Sequence, residues 1–294
     1  MNKLPVGQII REAYVFTFGE IGTVIGLIWI PTLINTIASY FFIRSYTTIF
    51  DSLDTGTPPS DAYALLPLPL AILSSFLVSM IGVALVRQAL GLRKGAAFAH
   101  VAIGGEELRT FAGFIGAGLL TFLFLLLFML VVGAVTAVAG STLGAAGGAV
   151  GALATVLGFV ALVYAVIRLT FLLVPSVVVD GHFGLTRGWQ LAGGNVGRIV
   201  LILLGTLLPL VLASDIATAL IAGPPPPAPT TPPADLAGVI HSFAEQSRSL
   251  MQHLPALMGV SLVLAPLIYS QLFTSAALAY RVLSGKAVIQ AHSG

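Results

Sequence analysis

The chain predicts an all-α integral membrane protein: a bundle of six transmembrane helices, arranged as three hairpin repeats with amphipathic helices at the membrane interface. Three observations predict it. Of the 294 residues, 57% are hydrophobic and only 8% are charged, against about 25% charged in soluble domains. Mean hydropathy is +1.02, so part of the solvent must be lipid. Lysines and arginines segregate to alternate connecting segments, as they do around transmembrane helices.

The spans follow from length. About 20 apolar residues cover roughly 30 Å of hydrocarbon. Six stretches qualify, at about 21–43, 64–86, 112–139, 149–174, 199–222 and 254–280. Four carry no charge; the fourth contains Arg168 and the fifth contains Asp215. The Gly-rich stretch Gly140 to Gly151 separates the third and fourth as a turn. Arg11, Glu12 and Glu20 interrupt any early apolar core, so the first stretch reads as an anchor and not a cleavable signal.

Orientation follows from the basic residues. Lys3, Arg11, Arg87, Arg93, Lys94, Arg109, Arg168, Arg187, Arg198, Arg281 and Lys286 fall on one side, with only Arg44 and Arg248 on the other. This bias predicts a multi-pass cell-membrane protein with both termini in the cytoplasm. The net charge of +2 then needs no nucleic acid to explain it.

The chain also reads as three copies of one unit, at about 1–95, 96–182 and 183–294, within one membrane domain. Each unit has a cytoplasmic amphipathic segment (6–20, about 97–111, about 184–198), a helix out, an outer loop and a helix back. Val6, Ile9, Ile10, Ala13, Val15 and Phe16 form a broad apolar face on the first segment, suited to the headgroup boundary. The third outer loop contains the Pro-rich stretch 223–234, read as an extended spacer, with a docking site for a partner as the alternative. Val239, Ile240, Phe243, Leu250, Met251 and Leu254 then recur near helical spacing, which predicts a short amphipathic helix on the outer surface.

Polar residues inside spans are expensive, which makes them candidates. Asp215 lies about seven residues from the outer end of its span, roughly 10 Å deep at 1.5 Å per residue. Asn35 should lie at similar depth. The functional reading is a cation- or proton-coupled site; the structural one is an interhelical hydrogen bond or a wetted carboxylate. Arg168 either snorkels to the headgroups or pairs with Asp180. Gly194 and Asn195 open the fifth span, and with Arg187 and Arg198 they form a candidate lipid-headgroup site. The Glu106–Glu107 pair reads as a solvated face. No Cys is present and the five His do not cluster, so no metal site, cofactor or catalytic set is expected.

The segment 168–204 is the most distinctive. Arg168, Pro175, Asp180, Gly181, Arg187, Trp189, Leu191, Gly194 and Asn195 form a pattern that resembles the membrane domain of bacterial glycerophosphoryl diester phosphodiesterases. It also resembles related stand-alone YciC-like membrane proteins of unknown function. The resemblance implies fold and a bacterial inner-membrane location. It does not imply phosphodiester hydrolysis, because no long polar region exists to hold a catalytic barrel. The expected function is non-enzymatic: membrane organisation, or support of a membrane protein partner, with lipids as the other contacts. The alternatives are a small transporter or channel using Asp215, and a lipid-handling protein.

Overall fold

A long apolar helix satisfies its own backbone polar groups, which is why helices are the natural answer to this composition in lipid. The computed structural model describes residues 3–58, 63, 65–93, 103–181, 184–223 and 236–285. The helices are α1 (Val6–Gly19), α2 (Ile21–Thr55), α3 (Pro67–Ala89), α4 (Gly105–Leu143), α5 (Ala145–Thr170), α6 (Leu173–Asp180), α7 (Gly184–Ala192), α8 (Val196–Ala222) and α9 (Leu236–Ser284). Six of these elements are long and apolar enough to cross a membrane, and the protein is a multi-pass membrane protein. Three antiparallel pairs result: α2 with α3, α4 with α5, and α8 with α9. Both described chain ends lie at the same end of the bundle, called here the terminal end.

Apolar helices gain nothing from leaving lipid for one another, so close packing and small residues must hold them. A Cβ on Gly82 of α3 would lie 2.8 Å from the Phe273 ring of α9. On Gly113 of α4 it would lie 3.0 Å from Leu173, and on Gly205 of α8 it would overlap Ile10 of α1. Two buried clusters follow. One joins Leu4, Ile9 and Ala13 to Leu172, Ile199, Ile202 and Tyr280. The other joins Val24, Leu27 and Ile28 to Ile81, Leu85, Val174 and Phe273.

α1 is amphipathic, but it turns Ile9, Ala13 and Thr17 onto the bundle, while Val15 of the expected apolar face stays exposed with Phe18, because the helix packs on neighbouring helices along a narrower stripe. Its polar contacts advance along α8. Asn195 accepts the Leu4 N–H at 3.3 Å, and the Tyr14 hydroxyl donates to the Gly205 carbonyl at 3.1 Å.

Other boundaries differ from the sequence reading. The expected separate helix at 239–254 is the first part of α9, which runs unbroken through Pro255 and Pro266. The reason is its partner: α2 also overruns its apolar stretch, and the two overhangs are clamped together. Thirty-five residues of α2 make about 52 Å of helix, against roughly 30 Å of hydrocarbon. Residues 105–111 are the first turns of α4 and not a separate segment, because nothing between Gly105 and Leu143 breaks the helix. The Gly140–Gly151 turn narrows to Gly144, at φ +56°. The Pro-rich stretch beyond Gly223 and residues 97–102 lie outside the described residues.

The middle pair stands apart. In the most apolar windows of α4 and of the α5 span, 6% of residues are buried, against 39% for α2 and 50% for α3. α4 and α5 pack chiefly on each other, so their outer faces meet the membrane.

Candidate functional site

Polar groups in this protein gather at three levels. At the terminal end they tie the short helices to the spans. α5 stops at Thr170, two residues turn, and α6 begins at Leu173, with Pro175 in its first turn, where the missing N–H costs nothing. The chain is thereby folded back to put α7 beside α5. Arg168 stacks its guanidinium 4.1 Å from the Trp189 ring centroid. It donates from Nε to the Trp189 carbonyl at 3.0 Å and from Nη1 to the Tyr164 hydroxyl at 3.2 Å. The pairing of Arg168 with Asp180 weighed from sequence is not what forms. Asp180 instead accepts the Tyr280 hydroxyl at 2.7 Å and lies 3.6 Å from Arg187.

The Gly194–Asn195 junction is built differently from a free phosphate cradle. Gly194 takes a left-handed φ of +73°, which lets the chain turn from α7 into α8. Asn195 is buried on Leu4, and Arg198 donates to the Leu4 carbonyl at 3.2 Å. Three of the candidate headgroup residues, Arg187, Asn195 and Arg198, therefore have protein partners. Glu107 is buried and accepts the Gly104 N–H at 3.0 Å, so it caps α4 and does not lie on a solvated face. Glu106 pairs with Arg87 at 2.7 Å.

Inside the bundle, Asn35 joins three helices. Its carbonyl accepts the Ser74 hydroxyl at 2.7 Å, and its amide donates to the Tyr269 hydroxyl at 3.2 Å. Asp215 takes no part. It is exposed on α8 beside Ile216, with Val211 and Leu212 one turn back, and has no hydrogen-bond or ion-pair partner among the described residues. Asn35 and Asp215 are thus not brought together.

Sequence reasoning passed over Gln271 of α9. It is fully buried, and neither end of its amide has a partner among the described residues. An uncharged residue leaves no mark in a charge count; only its place in the stretch 270–280 of α9, which is buried almost all round, makes it costly.

At the other end the overhangs of α2 and α9 meet. Arg248 contacts Asp51 at 2.7 Å and Asp54 at 2.9 Å. His241 lies 2.9 Å from Asp54 and 3.4 Å from Glu245, and Phe50 stacks on Phe243. These groups lie beyond the apolar stretches. The hydrogen bond from His241, then that from Arg248, holds the Asp54 carboxyl below its usual range. Asp54 in turn raises the His241 imidazole.

No group of three or more His, Asp or Glu with metal-binding placement occurs among the described residues. No protein family, curated protein or solved structure matches the chain.

Proposed function

We propose that this multi-pass membrane protein is a non-enzymatic membrane-organising or accessory protein that docks on a membrane partner through the outward face of α8. The observation that carries this reading is Asp215: an exposed carboxylate without a partner among the described residues, on a helix whose surrounding surface is apolar. An acid about 10 Å inside a span is costly unless something pairs with it. A partner helix bearing Lys or Arg at that depth supplies the missing charge, while Val211, Leu212, Ile216 and Leu220 supply apolar contact. A conduction path would instead need Asp215 to face inward, and its exterior position favours a partner. The basic-residue bias supports cytoplasmic termini, and the resemblance of 168–204 supports a bacterial inner membrane.

The test is extraction in a lipid-preserving polymer, with co-purifying proteins identified by mass spectrometry. A stoichiometric partner is expected with the native chain and is lost with Asp215→Lys. Lys→Asp or Arg→Asp on the partner helix restores it. A partner retained unchanged in Asp215→Lys, or no stoichiometric partner at all, overturns the proposal.

A further inference from the structure

We infer that α5 carries a binding site for one anionic diacyl phospholipid, with the phosphate on Arg168 and an acyl chain in each of two grooves that flank the helix. The site is separated from Asp215 along α8: Val200 of the second groove lies fifteen residues from Asp215, about 22 Å of helix.

The first groove, of about 570 Å³, lies between α4 and α5 and reaches Trp189 at the terminal end. Small residues on α5 keep its floor low: Ala154, Gly158, Ala161 and Ala165 all border it. The second groove, of about 350 Å³, lies on the other side of α5 against the start of α8, and includes Tyr164 and Val200. Both walls are apolar, and the volumes fall in the range of ligand-binding clefts.

Arg168 connects the two. Its guanidinium lies over the Trp189 ring of the first groove and bonds the Tyr164 hydroxyl of the second. Of five guanidinium N–H groups, two are engaged by these neighbours. Three remain, and no carboxylate pairs with the charge among the described residues. A cation near the hydrocarbon boundary needs an anion, and the planar fork of Arg matches a phosphate. A zwitterionic headgroup brings its own cation to the phosphate, so the uncompensated charge of Arg168 favours an anionic phospholipid, and the paired grooves select two chains.

Trp189 reports on the site. The chain has two tryptophans, so Trp29→Phe leaves Trp189 as the single fluorophore. This variant is reconstituted in phosphatidylcholine vesicles with rising fractions of chain-brominated phosphatidylglycerol or chain-brominated phosphatidylcholine. Half-maximal quenching is expected at about tenfold lower mole fraction for the anionic lipid, equivalent to about 1.4 kcal/mol. Arg168→Gln is expected to close that gap, while Arg109→Gln, an exposed arginine on α4, leaves it. Ala161→Phe fills the first groove without touching Arg168 and is expected to lower the quenching plateau. Coincident curves for the two lipids overturn the proposal. So does a gap that survives Arg168→Gln, or one that Arg109→Gln closes equally. If Arg168→Gln fails to stay monodisperse, Ala161→Phe decides, and unchanged quenching there overturns the site.

Discussion

The Tyr280 hydroxyl donates to Asp180 at 2.7 Å across 100 residues of sequence, tying the last span to the end of α6. The Asp180 side chain is 16% exposed and also lies near Arg187, so this carboxylate is held between a neutral donor and a cation. Hydrogen bonds to charged groups contribute about 1.5–3 kcal/mol. Tyr280→Phe removes the donor and keeps the ring in its cluster. Resistance to unfolding in mixed micelles should fall by about 1.5 kcal/mol, the low end, because Arg187 still faces the carboxylate. A loss within error of zero would mean that solvent replaces the bond.

The clamp between the α2 and α9 overhangs should respond to pH. His241 titrates above its ordinary imidazole value because Asp54 accepts its hydrogen bond. Its contribution is therefore complete below that ordinary value and is lost as pH rises through the raised one. Asp54 titrates below its ordinary carboxylate value, so its contribution is present above that value and lost as pH falls through the lowered one. The clamp is tightest between the two, in mildly acidic solution. Above neutrality the His241 arm releases while Arg248 keeps Asp51 and Asp54. Hydrogen exchange over 237–250 should quicken from pH 6 to pH 8, after correction for intrinsic rates, in the native chain and not in His241→Gln. Equal protection at both pH values would mean that Arg248 and the Phe50–Phe243 stack suffice.

Gln271 gives a prediction of opposite sign. Its amide is buried and unpartnered among the described residues, and an unsatisfied buried polar group costs about 1–3 kcal/mol. Methionine has a similar length and flexibility and no such group. Gln271→Met should therefore stabilise the protein by about 1 kcal/mol or more in micelle unfolding. Destabilisation would show that the amide has a partner in the membrane, and Gln271 would then become a candidate site.

The spans were legible because lipid imposes a simple rule of length and apolarity, and the stretches 21–43 and 199–222 fall inside α2 and α8. The polar partners were not. Arg168 and Asp180 sit close in sequence and suggested a pair, yet the turn at Phe171–Leu172 and the path of α6 carry Asp180 to Tyr280 instead. Glu107 looked solvated beside Glu106, but the open first turn of α4 offers it the Gly104 N–H.

By itself, then, the sequence determined the number of apolar spans, the hairpin turn near Gly144 and the uneven placement of Lys and Arg. These depend on local composition, which each segment carries whatever its neighbours do. Only the tertiary structure decided that α4 and α5 stand apart, that Asp215 faces outward, and that Arg168 rests between two grooves. Those depend on how helices turn about their own axes. Apolar residues all round a span leave that rotation unmarked in the sequence, and close contacts such as Gly82 with Phe273 set it.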